Sequence, residues 1–332
     1  MTDVLFLRSD ELTGLATPSE YVSAVRDGYE SHGNEGSAKP RTKLVSAEPP
    51  GMCTGYLAIL PEVGGMGGYT YAAGFGDEDA HFALPLFDAE SGRMLALLDG
   101  ASMNPFKTGA TGAVAVDELA REDAKTCAII GSGAQARGQL RATATVREFD
   151  RVSVFSPTAA NRRAFAEEFN EQLPADVAAV DSAADAVADA DVIITATNAE
   201  DPVIRDTDIP DGAHITAMGQ YDPGRRELDA GTIARSTYVP DLRERAFQDA
   251  GAFLAARETG VIGDDHIHAE LGEIVAGHRP GRTADDELTV FDSGGTGIET
   301  VAAAWMLYQR AKTADLGQTI DFAPASEALT GE

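Results

Sequence analysis

The chain has 332 residues, of which 54 are acidic and 26 are lysine or arginine, so its net charge at pH 7 is −28. A chain of this length is typical of two domains, and it contains no apolar run long enough to span a bilayer. So large a negative charge would repel the phosphates of nucleic acid, which argues against nucleic acid as a partner.

The acidic residues are dispersed along the chain, and only five of the basic residues are lysines. This pattern is typical of adaptation to high salt, where screening removes the self-repulsion of the surface; the alternative is an ordinary acidic protein. The chain does not open with a signal-peptide pattern, so we expect a cytoplasmic protein. Cys53 and Cys127 lack the spacing of metal ligands, and we expect both to be small core residues rather than a disulfide.

The N-terminal part of the chain predicts a sheet with flanking helices. Thr17, Pro18 and Glu20 form a helix start, because Thr17 can cap, Pro18 fits the first turn and Glu20 completes a capping box. We expect a loop over residues 33–38 and a helix over residues 104–121. Glycine and proline separate the predicted strands, which are 1–7, 42–45, 54–60, 68–73, 81–87 and 93–99.

From residue 122 onward, strands alternate with helices, which is typical of a doubly wound parallel sheet. The predicted strands are 151–156, 178–180, 192–195, 213–218 and 238–240, and the predicted helices are 135–148, 160–170 and 182–189. A long helix over 297–312 is expected to return to the first domain, and residues past 323 are expected to be loose. The fold class is therefore α/β, a Rossmann sheet plus a split α+β domain.

The stretch from Thr126 to Gln139 combines a strand, a glycine-rich turn and a helix start. The apolar run 127–130 predicts a buried parallel strand, and Gly131-Ser-Gly-Ala-Gln-Ala136 follows it directly. In this pattern the first glycine allows a tight turn, the second lets the backbone approach a pyrophosphate, and the small third residue lets helix and strand pack closely. The stretch predicts a dinucleotide site; the alternative is a structural glycine turn.

Eight segments of the chain resemble the ornithine cyclodeaminase/mu-crystallin family, which includes archaeal alanine dehydrogenases and ketimine reductases. They are 39–41, 55–61, 106–110, the loop 131–136, 195–198, 223–228, 271–277 and 291–297. The resemblance implies a homodimer whose subunits have a substrate-binding and dimerisation domain (1–121 with 297–332) and an NAD(P)-binding Rossmann domain (122–296). Together with the charge, it favours a halophilic archaeal member of the family.

The resemblance also implies which residues bind a substrate carboxylate, and where this chain departs from the family. The family usually holds the carboxylate with an arginine after the first proline, a lysine in the central β region and an arginine before Thr-Gly-Ala. Arg41 matches the first of these. Lys107 replaces the last, which keeps the charge but loses the bidentate fork. Tyr69 lies where the family has a lysine. Tyr221 stands in place of the catalytic aspartate, and Asp222 follows it. We expect Arg41, Lys107 and Tyr69 to bind substrate, and Tyr221, Asp222 and Lys107 to act in catalysis.

Tyr221 could protonate the product, whereas Asp222 could act as the base or only stabilise a turn. Arg41 and Lys107 could alternatively form structural ion pairs. His266 and His268 have no third ligand in sight, which favours a surface loop over a metal site. Asp241 matches a family aspartate and is interpreted as structural or as lying behind the nicotinamide.

The second strand of the nucleotide domain ends at Ser156 without an acid, so a 2′-phosphate would not be repelled, and we favour NADP over NAD. The alternative is that Arg162 and Arg163 are solvated helix residues. The candidate cofactor contacts are Thr108, Gly131, Gly133, Ala134, Gln135, Ala136, Ser156, Thr158, Arg162, Thr197, Asn198, Met218, Gly219 and Gly294.

These residues predict a cytoplasmic NAD(P)-dependent oxidoreductase that acts on a small 2-amino, 2-imino or 2-oxo acid, with neither nucleic acid nor membrane as a partner. Three alternatives stay open. The first is a cyclodeaminase, a lyase that works on one bound NAD. The second is a non-catalytic protein that binds NADPH. The third is a reductase for a bulkier substrate, since a tyrosine in place of the family's lysine changes the shape of the pocket.

Overall fold

The computed structural model describes residues 2–77 and 79–330 of the chain. These residues form two compact units, one made of the chain up to Lys107 together with the chain from Thr296, and the other of Thr108–Gly295. We call them the split unit and the inserted unit. Within the described ranges, no helix is long and apolar enough to cross a membrane.

The strands and helices are numbered along the chain. The strands are β1 (Thr2–Leu7), β2 (Ser37–Ala38), β3 (Thr42–Ala47), β4 (Pro50–Leu60), β5 (Gly65–Ala73), β6 (Ala83–Asp88), β7 (Met94–Asp99), β8 (Thr126–Ile130), β9 (Arg151–Phe155), β10 (Asp176–Ala179), β11 (Val192–Thr195), β12 (His214–Ala217), β13 (Thr237–Pro240), β14 (Thr289–Asp292) and β15 (Gln318–Phe322). The helices are α1 (Ser9–Leu12), α2 (Pro18–Asn34), α3 (Asn104–Leu119), α4 (Ala134–Thr143), α5 (Ala159–Gln172), α6 (Ala183–Val187), α7 (Ala230–Arg235), α8 (Arg243–Asp249), α9 (Gly251–Glu258), α10 (Leu271–Val275), α11 (Gly297–Thr313) and α12 (Ala325–Thr330).

The split unit contains a mixed eight-stranded sheet in the order β15-β1-β7-β6-β5-β4-β2, with β3 paired to β4. Strands β4 to β7 form antiparallel neighbours, whereas β1 runs parallel to β7. Helices α2 and α11 pack against each other so closely that a Cβ at Gly28 would lie 2.7 Å from Ala302 Cβ. The small residues of the two helices therefore allow their close packing.

The inserted unit contains a seven-stranded, fully parallel sheet in the order β10-β9-β8-β11-β12-β14-β13. The strand order reverses between β8 and β11. All four residues of β11, β12 and β14 are buried, as strands covered on both faces require. The predicted α/β fold with a doubly wound sheet is confirmed. In such sheets, ligands bind at the carboxyl ends of the strands beside the reversal.

Several local predictions are wrong. Residues 33–38 are not a loop throughout, because α2 continues to Asn34 and β2 follows. The helix after the glycine loop ends at Thr143 rather than at residue 148, since β-branched residues follow and the Thr145 hydroxyl donates to the Ala142 carbonyl. Residues past 323 are not loose over their described part, where α12 forms.

Cys127 is buried, as predicted, but Cys53 is exposed. Cys53 lies on β4, where residues alternate between the two faces of the sheet, and its neighbour Thr54 takes the buried position. Strands β14 and β15 were not predicted.

Candidate active site

The glycine-rich loop lies at the carboxyl end of β8, beside the reversal of strand order. Gly131 has φ +123°, and a Cβ there would lie 2.4 Å from the Ala196 carbonyl oxygen. Gly133 is the N-cap of α4 and has open space where a Cβ would stand. Ala136 is fully buried. The first glycine is thus required by conformation and close approach, while the second leaves the helix N-terminus open to an anion.

The first turn of α4 offers backbone donors to a ligand. Ala134 and Gln135 begin the helix, and the Gly133 N-cap supplies no side-chain acceptor for its N–H groups. Ser132 Oγ, in the same loop, lies 2.9 Å from Ser156 Oγ, which places the end of β9 beside the loop. This arrangement is the one a pyrophosphate needs at a helix start.

Arg162 on α5 is held at the carboxyl end of β9. Its guanidinium donates to the Ser156 carbonyl oxygen at 3.1 Å and pairs with Asp181 at 2.7 Å, and it lies 5.7 Å from the centre of the Phe155 ring. Only 11% of the Arg162 side chain is exposed. Arg162 is therefore not a freely solvated helix residue. Thr158 lies beside it as the N-cap of α5.

Glu227 ties together the carboxyl ends of β11 and β12. Its buried carboxylate accepts hydrogen bonds from the Thr195 hydroxyl at 2.9 Å, the Thr197 N–H at 2.6 Å and the Gly219 N–H at 2.8 Å. Burial raises the pKa of Glu227, and these hydrogen bonds oppose the rise. A Cβ at Gly219 would lie 2.2 Å from the Thr197 carbonyl oxygen, so only glycine fits there. The loops that follow β11 and β12 are therefore fixed against each other.

The neighbouring candidates on these loops differ in exposure. Asn198 is exposed, whereas Met218 is buried and its N–H donates to the Thr195 carbonyl at 2.9 Å. Thr108 lies apart from them in α3, where its carbonyl accepts from Gln139 Nε2 at 2.7 Å.

A buried ionic network holds the Gly294 loop at the end of β14. Asp241 accepts hydrogen bonds from Arg245 Nε at 2.7 Å, Ser293 Oγ at 2.8 Å and the Gly294 N–H at 3.0 Å. Arg245 also binds Asp292 through its carboxylate at 2.7 Å. Asp241 thus positions Gly294, which agrees with its interpretation as a structural residue.

Tyr221 and Asp222 occupy different environments. Tyr221 is half-buried, and its Cβ is 3.2 Å from where a Cβ at Gly294 would stand. Asp222 is exposed, and its Oδ1 accepts the Gly224 N–H at 2.8 Å, which is the contact of an Asx turn. Asp222 therefore stabilises the turn, and Tyr221 lies beside the Gly294 loop.

The split unit brings Arg41 and Lys107 together among tyrosine rings. Arg41 is buried, donates to the Tyr71 hydroxyl, and has its guanidinium carbon 5.1 Å from the centre of the Tyr56 ring. Lys107 Nζ lies 5.8 Å from the same ring and 5.4 Å from that of Tyr69. The electron-rich faces of these rings therefore help to stabilise two buried cations in the same part of the split unit.

Lys107, at the start of α3, forms an ion pair with Glu299 on α11, with Nζ and Oε1 3.3 Å apart. Each side chain is 1% exposed. Burial lowers the pKa of Lys107, and the Glu299 carboxylate opposes this effect. The sequence did not point to Glu299, although its spacing from Thr296 is a capping-box signature.

Tyr69 is fully buried, and its hydroxyl donates to the Gly100 carbonyl at 2.7 Å. Burial raises its pKa well above the usual value. His266 Nε2 lies 2.7 Å from the Ile233 carbonyl oxygen, and His268 Nε2 lies 2.9 Å from that of Pro280. Among the described residues, no group of three histidine, cysteine or acidic side chains is placed to hold a metal ion.

Besides Glu299, sequence reasoning missed three functional candidates. Glu227 and Asp292 lie within segments that carry the family resemblance, but their partners are distant in sequence. Arg245 lies outside those segments, and only its spacing of four residues from Asp241 was a signal.

Residues 73–315 match the sequence model of the Ornithine cyclodeaminase/mu-crystallin family. The chain is 36% identical over 238 residues to the Delta(1)-pyrroline-2-carboxylate reductase of Bacillus cereus, which covers 71% of this chain and 73% of that protein.

The solved structures that resemble this chain over nearly its whole length include two with bound pyridine nucleotide. One is the Delta(1)-pyrroline-2-carboxylate reductase of Thermococcus litoralis in complex with NADH and L-proline, with TM-score 0.90, 31% identity, and coverage of 96% of this chain and 100% of that one. The other is an archaeal alanine dehydrogenase dimer with bound NAD, with TM-score 0.90, 28% identity, and coverage of 97% and 100%.

Proposed function

Because the chain belongs to the ornithine cyclodeaminase/mu-crystallin family, we propose that it is a pyridine-nucleotide-dependent oxidoreductase acting on a small 2-imino, 2-oxo or 2-amino acid. The first substrate to test is a cyclic 2-imino acid, since two of its relatives are Delta(1)-pyrroline-2-carboxylate reductases. The observation that carries the proposal is the loop from Gly131 to Ala136, which leaves an uncapped helix start open at the reversal point of a parallel sheet.

The inserted unit fits a dinucleotide. Gly131, Gly133 and the first turn of α4 would hold the pyrophosphate through backbone N–H groups, and Ala136 lets α4 pack on the strand. The loops that Glu227 and Asp241 fix would hold the nicotinamide end. The cofactor, when bound, supplies or accepts a hydride. The residues assigned to this site are Thr108, Gly131, Gly133, Ala134, Gln135, Ala136, Ser156, Thr158, Arg162, Thr197, Asn198, Met218, Gly219 and Gly294.

Arg41 and Lys107 bind the substrate carboxylate in this proposal. Both are buried cations, and removal from water strengthens their attraction to an anion. A planar guanidinium also orients the carboxylate, which lowers the entropic cost of the reaction. Tyr69 lies against Lys107 and forms part of the wall of this site.

Tyr221 and Asp222 transfer the proton that accompanies the hydride in this proposal. Tyr221 is the better placed of the two, because it is half-buried beside the Gly294 loop, whereas Asp222 is exposed and bound in its turn. In the reductive direction, the Tyr221 hydroxyl would donate a proton to the product nitrogen or oxygen. In the oxidative direction, Asp222 would be the adjacent base that takes up the proton.

For the cofactor, we propose a preference for NADP. Ser156 stands where NAD-specific proteins carry an acid, and Arg162 is held at the same strand end.

The Ser156→Asp variant should therefore shift the ratio of kcat/KM for NADPH over NADH toward NADH by about tenfold or more, because the new carboxylate repels a 2′-phosphate. Asp181→Asn, which alters only the outer partner of Arg162, is the control. An unchanged ratio in Ser156→Asp would contradict the preference.

We also propose a homodimer. Leu44 on β3 and Leu57 and Ile59 on β4 are large apolar side chains on one face of the sheet, with 45–70% of their surface exposed. Such a patch on a sheet is typical of an interface. The alanine dehydrogenase relative is a dimer. Adaptation to high salt, a halophilic archaeal origin and a cytoplasmic location stay predictions.

The proposed function is tested with protein purified in molar KCl, by following oxidation of NADPH and NADH with Delta(1)-pyrroline-2-carboxylate and with pyruvate plus ammonia. Turnover that saturates with the imino or oxo acid is the expected result. Tight binding of NADPH without oxidation by any of these acids would instead indicate a binding protein. Release of ammonia and proline from ornithine without added cofactor would indicate a cyclodeaminase.

A further inference from the structure

The carboxylate of Glu299 makes two kinds of interaction in the split unit. It closes the capping box of α11, because Oε1 accepts the Thr296 N–H at 2.6 Å and Oε2 accepts the Thr296 hydroxyl at 2.6 Å. Oε1 also lies 3.3 Å from Lys107 Nζ, a residue 192 positions away in the sequence. One oxygen therefore joins a local helix cap to a distant cation.

The cap alone does not account for a charged residue at this position. Glutamine completes a capping box as well as glutamate does, since an amide oxygen can accept the N–H and an amide nitrogen can meet the hydroxyl. A carboxylate that is 1% exposed carries a large desolvation penalty, which only a well-placed opposite charge offsets. The charge of Glu299 is thus explained by Lys107.

Lys107 is the group that gains from this charge. Burial disfavours its ammonium form, and the guanidinium of Arg41 disfavours it further. The other ionisable groups that face it are the hydroxyl-bearing rings of Tyr56, Tyr69 and Tyr71. Of the groups named, Glu299 alone is a carboxylate in hydrogen-bonding range of Nζ.

We propose that Glu299 is a positioning residue for substrate binding: it holds Lys107 Nζ in place as a charged donor for the substrate carboxylate. This inference rests on the proposed function of Lys107. Glu299 does not itself touch the substrate in this scheme. Without its charge, Lys107 loses its proton at lower pH, and binding of a carboxylate then has to take up a proton.

The test is the pH dependence of KM in the Glu299→Gln variant, which preserves the cap and removes the charge. At the lowest pH values tested, we expect the KM of Glu299→Gln for the imino or oxo acid to approach the KM of the unaltered protein. It should rise toward about tenfold per pH unit once Lys107 deprotonates, because binding is linked to one proton. The unaltered protein should show no such rise over the same range. KM for NADPH should follow the same course in both proteins.

Two further variants separate the counter-ion from the cap. The double variant Lys107→Arg with Glu299→Gln should lose the pH dependence, because arginine stays charged. Glu20→Gln, which makes the matching change in the exposed capping box of α2, should leave the KM profile unchanged. If Glu299→Gln shows the same KM profile as the unaltered protein, the inference is overturned.

A second measurement does not need turnover. The chain has only five lysines, so NMR of protein labelled with carbon-13 at lysine Cε can follow Lys107 directly, with the Lys107→Met spectrum as its assignment. The Lys107 signal should titrate at lower pH in Glu299→Gln than in the unaltered protein, and an identical titration would overturn the inference. Absence of turnover in the unaltered protein would instead contradict the proposed function, and the NMR result would still decide whether Glu299 keeps Lys107 charged.

Discussion

The two long helices of the split unit begin with the same motif in opposite environments. In α2, Thr17 and Glu20 form a capping box at the surface, where Glu20 also pairs with Arg310. In α11, Thr296 and Glu299 form the equivalent box in the interior. The side chains of Glu20 and Arg310 are 39% and 36% exposed, against 1% for Glu299 and Lys107.

The difference teaches that burial changes what a helix cap does. At the surface, water solvates the carboxylate of Glu20 and screens its pairing, so the motif mainly fixes a helix start. In the interior, the carboxylate of Glu299 has no water to solvate it, and its interaction with Lys107 is much stronger. One four-residue pattern is therefore a local structural signal in α2 and an electrostatic element in α11.

The largest expected difference is in stability. Glu299→Ala should lower the free energy of unfolding by about 3–5 kcal/mol, because it leaves Lys107 buried without its partner. Urea unfolding at constant KCl would measure this loss. Glu20→Ala, the matched control, should cost much less, since Arg310 can be solvated. Equal losses in the two variants would contradict the contrast drawn between the boxes.

The second difference is between removing Arg41, the buried cation near Lys107, and removing Arg310, the cation of the surface box. Arg41→Ala should lower kcat/KM for a carboxylate substrate by about ten- to hundredfold, because a charge-assisted hydrogen bond in a buried site is lost. Arg310→Ala, which removes the cation of the surface box, should leave kcat/KM unchanged. Steady-state kinetics with the imino acid would measure both. If Arg41→Ala retained the kcat/KM of the unaltered protein, the role of Arg41 in binding would be excluded.

The smallest expected effect is a pH dependence confined to the surface box. Hydrogen bonds from Arg310 and Thr17 lower the pKa of Glu20 from 4.5 to about 2. A lowered pKa contributes stability above pH 4.5, and this contribution is lost as the pH falls from 4.5 to about 2. The stability difference between the unaltered protein and Glu20→Gln should therefore shrink over that range in acid unfolding experiments. A difference that stayed constant down to pH 2 would show that the lowered pKa of Glu20 does not contribute.

The parts of the site that depend on local sequence could be predicted. The glycine loop is one such part, because a strand, three small residues and a helix start follow one another from Cys127 to Ala136. Arg41 and Lys107 were also identified, through their family positions, although no pattern showed that they meet. Their burial together depends on how β4, β5 and α11 pack, which no short stretch of sequence encodes.

The residues that were missed act through long-range contacts. Glu227 binds across 32 positions to Thr195, and Glu299 across 192 positions to Lys107. A glutamate in an alternating or helical pattern is usually solvated, so neither residue stood out. Cys53 shows the converse error, because an apolar residue on a strand was assigned to the core although its face of the sheet is open.

The pairing of Lys107 with Glu299 also determines when the split unit can complete its folding during translation. Lys107 ends the first segment of the split unit, and α11 is synthesised only after the whole inserted unit. During translation, the N-terminal segment therefore leaves the ribosome without the helix that covers its sheet and without the carboxylate that neutralises its lysine. A domain that folds as a unit cannot be completed under these conditions until the second segment has emerged. The inserted unit, continuous in sequence, can fold first.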